Sequence, residues 1–570
     1  MGSHQHMKPS FFRRPSSLWL LILLSFILNT LFLANDLPNV SHPDEPKVVR
    51  RAIAMGTGDL NPHFFVYPTL WTYMVFLVQS TGAVVGLALR LFKGMDHLAS
   101  LAFTNPTFYF VAARLLSAAL GAGAIWLTWR IGSHLSPLCG WVSGLTLALF
   151  PPFVWQSHYA TGDVALTFFV LACLSACIDG LSASTKWRSI WWPSIAAGLA
   201  TSVKYNGFVV FGAVALMLYF RTRGSAAGDG RGHASLRHSV LAGRILKAGL
   251  MATLGFLATS PFIALDAPEF VQGLRELVRG TVIVTGIRPD LLAYARLVVG
   301  EQGILFGVVS LAGWIALVAT FCRRGRSSYP WVLAGFFLPY LVLIELADYK
   351  TPRFFLPMAA AMSLGVGAAL SNLWERVRTL PVPMVLRAAV VSLAFVALLV
   401  PSVAGTTGVE REFSQPSASS VATKWFRTNV RPGSTVFVDI GTRVSLPPDR
   451  ETVDERMRLW TADGSGKARQ LLRAYTYYLK TGEASAGYRM VPTADLLQNT
   501  FASGLDPLRD YDIERLNGVR FLVAPQDVFD FGRNPGRDAF YNYAMERYSI
   551  IHRASGRKGE AILILETKGQ

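Results

Sequence analysis

The sequence predicts a multi-pass α-helical membrane protein of about eleven transmembrane helices, ending in a small soluble α/β domain. Three observations predict it. Apolar runs near 20 residues recur up to residue 402. Charge density then doubles: residues 1–404 carry 31 Lys/Arg and 16 Asp/Glu, whereas residues 405–570 carry 23 and 20. Basic residues also gather in alternate loops between the apolar runs. With 52% hydrophobic and 16% charged residues and a mean hydropathy of +0.36, the chain is neither disordered nor an ordinary soluble domain.

The expected spans are 17–35, 107–131, 138–157, 161–181, 190–203, 206–220, 245–265, 300–322, 329–347, 354–372 and 384–402. Residues 66–92 form a twelfth apolar stretch, and parity decides its treatment. Lys8, Arg13 and Arg14 place the N-terminus, 1–16, in the cytoplasm, and the basic loop 221–247 belongs there too. Six crossings between 17 and 220 satisfy both, so 66–92 lies along the outer interface, where Tyr67, Trp71 and Tyr73 suit that depth. The alternative lets 66–92 span and fuses 190–220 into one broken helix. Residues 17–404 thus form the membrane domain, with long outer loops 36–106 and 266–299, in the inner or plasma membrane. Residues 405–570 form the extracytoplasmic domain.

In that tail, Ser419–Asn429 reads as an amphipathic helix and Arg469–Lys480 as another. Thr435–Ile440, after the turn Arg431-Pro432-Gly433, Val519–Ala524 and Ala561–Glu566 read as strands. The four cysteines, Cys139, Cys173, Cys177 and Cys322, lie in or beside apolar spans, so the tail holds no disulfide. The net charge of +18 could indicate nucleic acid, but its loop distribution follows the positive-inside rule, and no nucleic-acid partner is expected. The opening MGSHQHM resembles a cloning remnant and carries no weight in the fold.

Chemistry-bearing residues collect on the outer side. The first outer loop begins Ser41-His42-Pro43-Asp44-Glu45-Pro46, where a helix should start and run to Met55. Acids at a helix start serve as caps, but a carboxylate here is also typed to take a proton from an attacking hydroxyl. Asp163, in Gln156-Ser157-His158-Tyr159-Ala160-Thr161-Gly162-Asp163, enters membrane depth and requires a cation or metal partner. The basic candidates are Arg114 inside the second span, Lys204 between two short apolar runs, and Lys350 and Arg353 at the start of a late span. Such residues can snorkel to headgroups; several converging with acids on one face suggest an anionic substrate group such as a phosphate. No phosphate-binding GxxxxGK[ST] loop or HExxH motif occurs, so nothing supports ATP hydrolysis.

These residues, with the run Ala54-Met55-Gly56-Thr57-Gly58-Asp59-Leu60-Asn61-Pro62, Tyr67-Pro68-Thr69-Leu70, Ala113-Arg114-Leu115, Lys204-Tyr205 and Arg353-Phe354-Phe355-Leu356-Pro357, resemble GT-C type membrane glycosyltransferases that use polyprenyl-phosphate sugars. That superfamily includes protein O-mannosyltransferases and aminoarabinose transferases. The resemblance covers about residues 15–400. It implies a polyprenyl-phosphate-sugar donor, an acceptor it does not identify, and Asp44 as general base, with Glu45 and Asp163 supporting the acceptor or a divalent metal ion. It implies that Arg114 braces these acids and that Lys204 and Arg353 hold the donor phosphate, with Lys350 and Arg114 nearby. Tyr67, His158 and Tyr205 are the expected substrate-binding residues. Aminoarabinose transferases carry an acid and a lysine near Tyr67, where this chain has Val66 and Tyr67; His63 is a substitute metal ligand beside Asp163 and Glu45. The competing classes are a transporter or flippase with an outer binding domain, and a structural membrane subunit. The transporter should place its charges at the bilayer midplane rather than at one face.

Overall fold

The computed structural model describes residues 15–40, 42–182, 188–228, 234–278, 290, 292–323, 328–347, 350–492, 511–529 and 535–569. The N-terminal cations at 8, 13 and 14 lie outside the described residues, as do parts of the basic loop after residue 228 and of the outer stretch 266–299.

The helices run in chain order: α1 (Pro15–Thr30), α2 (Glu45–Met55), α3 (Leu70–Ala88), α4 (Met95–Thr104), α5 (Thr107–Ser133), α6 (Pro137–Ala148), α7 (Pro151–Ser157), α8 (Gly162–Ser182), α9 (Arg188–Val203), α10 (Phe211–Gly228) and α11 (Ala234–Thr259). After them come α12 (Phe262–Leu265), α13 (Ala267–Val278), α14 (Ala293–Gln302), α15 (Ile304–Arg323), α16 (Ser328–Leu346), α17 (Leu356–Val377) and α18 (Met384–Phe413). Apolar side chains at helical spacing weld these into one core, running from Leu21 through Phe110, Val170 and Met217 to Phe336 and Leu364.

Contacts at the helix ends fix the direction of most of the passes. At one end, Arg130 of α5 meets Asp179 of α8 at 2.7 Å, Ser136 before α6 meets Ser371 of α17 at 2.7 Å, and Arg244 of α11 donates to Thr222 of α10 at 2.9 Å. At the other end, Arg114 of α5 reaches the carbonyl of Leu33 beyond α1, Ser202 of α9 meets Ser260 after α11 at 2.6 Å, and Tyr340 of α16 donates to the Phe354 carbonyl before α17. Among the described residues, these contacts place an end of α1, α5, α6, α8, α9, α10, α11, α16 and α17 at one or both of the two faces of the bundle. The chain is a multi-pass membrane protein. The pair α6–α7 is bent by 63° and the pair α14–α15 by 112°.

By length and composition alone, eight helices qualify as spans, ten if each bent pair counts as one. That set includes α3 and omits the shorter α1 and α9. The packing of α3 decides its role. Trp71 donates to the Ala160 carbonyl at 3.2 Å, Gln79 donates to the Tyr109 carbonyl at 3.2 Å, and Phe92 packs on Phe108 with ring centroids 5.0 Å apart. Residues 108, 109 and 160 all sit at the same end of the bundle, so α3 lies across that end rather than through it.

The 404/405 boundary falls inside α18, a continuous helix to Phe413. The soluble module instead begins with α19 (Ala418–Asn429) and continues through β1 (Thr435–Val438), α20 (Arg450–Asp463), α21 (Gly466–Lys480), β2 (Arg489–Pro492), β3 (Phe521–Pro525), α22 (Pro535–Arg547), β4 (Tyr548–Ser555) and β5 (Ala561–Thr567). The sheet order is β2-β1-β3-β5-β4. β1 pairs in parallel with β2 and β3, whereas β5 pairs antiparallel with β3 and β4. Alternation along the strands gives the sheet two cores: Val436, Val523 and Ile564 face Ala422 and Phe426 of α19, and Phe437, Leu522 and Leu565 face Phe540 and Tyr541 of α22. Sequence reasoning found both helices and all three strands it named. It missed the edge strands β2 and β4; most of β4 is exposed, so no buried alternation marks it.

Candidate active site

The segment between α1 and α2 sets the geometry. Asp44 stands at the N-cap of α2, yet its side chain makes no capping bond, so capping does not explain it. Its Oδ1 accepts from Lys47 Nζ at 2.7 Å and its Oδ2 pairs with Arg353. The Asp44 N–H donates to His42 Nδ1 at 3.2 Å, the same reach that an Asx turn makes with an oxygen. Burial pushes the His42 imidazole down to about 3; Glu45 opposes this, and the cations Arg353, Arg443 and Arg114 reinforce it. His42 is therefore a neutral acceptor, and its ring packs 4.7 Å from that of Tyr159.

Glu45, one residue on, faces the opposite way and is fully buried. Arg114 donates to both its oxygens, Nε at 2.9 Å and Nη2 at 2.8 Å, and the Ala160 N–H adds a third bond at 2.8 Å. Arg114 Nη1 also ties down the carbonyls of Leu33 at 2.8 Å and Asn35 at 3.0 Å. This fork locks α1, α2, α5 and the start of α8 together. Four of the five Arg114 N–H groups and three bonds to the Glu45 carboxylate are thus spent within the protein, a structural use of both side chains.

Asp163, in the first turn of α8, meets Lys204 Nζ at 2.6 Å, so the partner its burial required is a lysine. Lys204 sits in the break between α9 and a 3-10 turn, Tyr205–Val210. That turn folds back so tightly on Ala200 that a Cβ on Gly207 would strike its carbonyl. The Lys204 ammonium lies 5.6 Å from the Tyr67 ring centroid and 5.3 Å from that of Phe354. Asp44, Arg353, Asp163, Lys204 and Tyr67 line one small pocket. Asp44, Arg353 and Tyr67 also line a cavity of about 2200 Å³ between the bundle end and the soluble module.

Other expected residues turn elsewhere. Lys350 bonds back to the carbonyls of Ile344, at 2.8 Å, and Glu345, neutralising the C-terminus of α16. His158 has both ring nitrogens against backbone carbonyls, Val154 at 2.8 Å and Leu31 at 2.9 Å, and stacks on Phe413. Tyr205 donates to the Phe65 carbonyl at 2.8 Å. None of the three lines either pocket.

The expected metal set of Asp163, Glu45 and His63 is not assembled, because the two acids are taken by Lys204 and Arg114. His63 instead meets Asp266 and Glu269, with ligand atoms of the three within 4.8 Å, a composition able to hold a divalent cation. Its Nδ1 lies 2.8 Å from Glu269 and its Nε2 3.1 Å from Asp59. Burial would lower the His63 pKa, but hydrogen bonds to Glu269 and Asp59 outweigh it and raise the value. Two carboxylates on one ring thus favour its protonated form.

The soluble module clamps the same loop. Asp36 takes Arg557 at 2.7 Å and the Ser417 N–H at 2.9 Å, while Asn39 takes Thr423 at 2.7 Å and the Ser445 N–H at 2.8 Å. Gln470 of α21 holds the carbonyls of Asp59 and Asn61. Sequence reasoning missed His42, Lys47 and Arg443 as cavity residues. The spacing of Lys47, Arg50 and Arg51 carried a signal for α2; nothing in the sequence marked Arg443.

The fold is shared with solved structures of an aminoarabinose transferase and an oligosaccharyltransferase, both of the GT-C fold. ArnT from Cupriavidus metallidurans, bound to undecaprenyl phosphate, superposes with a TM-score of 0.52 at 16% identity, over 96% of this chain and 98% of that one. The Archaeoglobus fulgidus oligosaccharyltransferase gives 0.52 at 13% identity, over 95% of this chain and 74% of that one. Its complex with an inhibitory peptide and a dolichol-phosphate gives 0.51 at 12% identity, over 97% and 74%. No family model matches the chain, and no curated protein sequence matches it.

Proposed function

We propose that this chain is an inverting glycosyltransferase that moves a sugar from a polyprenyl-phosphate carrier to an acceptor hydroxyl on the outer membrane face. The observation that carries the reading is the pairing of two buried acids with two buried cations, Asp44 with Arg353 and Asp163 with Lys204, around one pocket at one end of the bundle. Similar folds that hold undecaprenyl phosphate and a dolichol-phosphate support a lipid phosphate as donor. Basic loops gathered at the far end support an outward-facing pocket and module.

In this reading Asp44 takes the proton of the acceptor hydroxyl as that oxygen attacks the anomeric carbon. The carbon–phosphate-oxygen bond breaks, and the carrier leaves as a phosphate. That leaving group needs cations more than a proton, which Lys204 supplies as a point charge and Arg353 as a fork. Both cations are paired with acids here, so phosphate binding must compete with Asp163 and Asp44. His42 fixes the main chain under the base. A divalent ion at His63, Asp266 and Glu269 would bind outside the cavity lining and brace the first loop rather than the reacting groups.

The test uses the purified full-length chain in nanodiscs with a panel of polyprenyl-phosphate hexoses and pentoses, reading release of polyprenyl phosphate and binding of undecaprenyl phosphate. One donor should be consumed, and Asp44→Asn should slow its single-turnover transfer by about 10²-fold or more while retaining donor binding. Absence of both binding and consumption by the parent overturns the reading.

A further inference from the structure

We propose that the soluble module carries an anion-binding site of its own, in which Arg443 takes a phosphate group of the acceptor; the word acceptor rests on the glycosyl-transfer reading above, the anion site does not. The topology comes first. β1 and β3 are parallel neighbours, and the segments leaving their carboxyl ends, Gly441 to Leu446 and Pro525 to Asp527, both line the large cavity. Open α/β sheets bind ligands outside the carboxyl ends of their parallel strands. The module therefore presents its binding edge to Asp44.

The turn after β1 is over-determined. Asp439 is wholly buried; its Oδ1 accepts from the Gly441 N–H at 2.7 Å, and its Oδ2 accepts from Tyr511 at 3.0 Å, Arg537 at 3.3 Å and Tyr541. Thr442 Oγ1 returns to the Asp439 carbonyl at 2.7 Å. The residue that follows is Arg443, held at φ +52°, in the left-handed region where glycine would sit without strain. A strained non-glycine residue kept at the rim of a cavity points to a use for its side chain.

That side chain is not tied down by a hydrogen bond. Among the described residues Arg443 has no hydrogen-bond or ion-pair partner, although His42, Tyr159, the carboxylates of Glu560 and Asp36 and the cation Arg557 lie within electrostatic range. Another wall of the same cavity is also basic, with Lys47 held by Asp44. Lys47, Arg50 and Arg51 recur at three- and four-residue spacing on α2 and line the cavity, while Val48, Val49 and Ala52 turn into the core. A cavity with cations on two walls favours an anionic ligand, and the Arg443 guanidinium fork suits two phosphate oxygens.

The test compares the full-length parent with Arg443→Gly and Arg443→Lys in phosphatidylcholine nanodiscs. Inorganic phosphate by equilibrium dialysis and phosphatidic acid by native mass spectrometry are the probes, with undecaprenyl phosphate as donor control. Arg443→Gly should match or exceed the parent in thermal stability, because glycine relieves the backbone, yet bind the probe at least tenfold more weakly. Arg443→Lys should fall between, and undecaprenyl phosphate should bind all three within twofold. Dependence on Arg443 for phosphatidic acid alone assigns a lipid phosphate, and for inorganic phosphate a soluble one. Equal affinity of parent and Arg443→Gly for both probes overturns the site; so does a matching loss of undecaprenyl phosphate, which would put Arg443 on the donor. A parent that binds the probe through Arg443 but takes no undecaprenyl phosphate leaves the anion site standing and removes the glycosyl reading.

Discussion

Substituting Glu45 by Gln separates structure from chemistry at two adjacent acids. The Glu45 carboxylate accepts two bonds from Arg114 and one from the Ala160 N–H, all at 2.8–2.9 Å, and both side chains of the pair are at most 2% exposed. An amide keeps one acceptor oxygen but turns an NH2 toward a donor, and it leaves the guanidinium without a counter-charge. Breaking a buried pair by removing one partner costs about 3–5 kcal/mol. Glu45→Gln should therefore lower the thermal stability of the purified protein strongly. Surviving folded molecules should transfer at a rate far closer to the parent than Asp44→Asn does. Pairing it with Arg114→Met removes the orphaned charge and should recover part of the loss. Full recovery is not expected, because the carbonyls of Leu33 and Asn35 lose their donor, at about 1–3 kcal/mol for a buried group left unpaired. Thermal unfolding alongside single-turnover transfer decides. Parental stability with transfer as poor as that of Asp44→Asn would refute the argument and make Glu45 a chemical group.

At the second pair, Lys204→Met alone should destabilise, by stranding Asp163, while Lys204→Met with Asp163→Asn should regain stability but not donor binding. Recovery of undecaprenyl phosphate binding in the double variant would exclude Lys204 from the donor site. The raised His63 pKa gives a pH signature: its contribution to stability is complete below its ordinary value of 6.5 and is lost as pH rises through the raised value. Thermal stability should thus fall with rising pH above 6.5 more steeply in the parent than in His63→Gln, and parallel curves would dismiss the His63–Glu269–Asp59 contact as a contributor.

Much of this arrangement is readable from the sequence, since burial and side are coarse properties. Asp44, Asp163, Lys204 and Arg353 were expected at one membrane face, and the structure brings those four to one pocket. Their pairing was not readable. The resemblance gives Lys204 a donor phosphate as its anion, but in the structure Asp163, 41 positions earlier, supplies one. Lys350 and His158 lie within a few residues of true pocket residues, yet a helix C-terminus and two backbone carbonyls claim them first. The docking of the module escapes sequence patterns entirely, because Asp36 and Arg557 are 521 residues apart and each looks like an ordinary surface charge.

The length of α18 has a mechanical consequence. Its 30 residues, at 1.5 Å each, make a rod about 45 Å long, against a hydrocarbon core of about 30 Å. The helix is therefore longer than one crossing needs, and its last turn, with Phe413 stacked on His158, lies against the bundle end and leads straight to the module. A domain on such a rod does not sweep through space as one on a flexible tether does. The roof over the cavity is thus pinned at two points, by Phe413 on His158 and by Arg557 on Asp36, so the module and the bundle end form its walls as one unit.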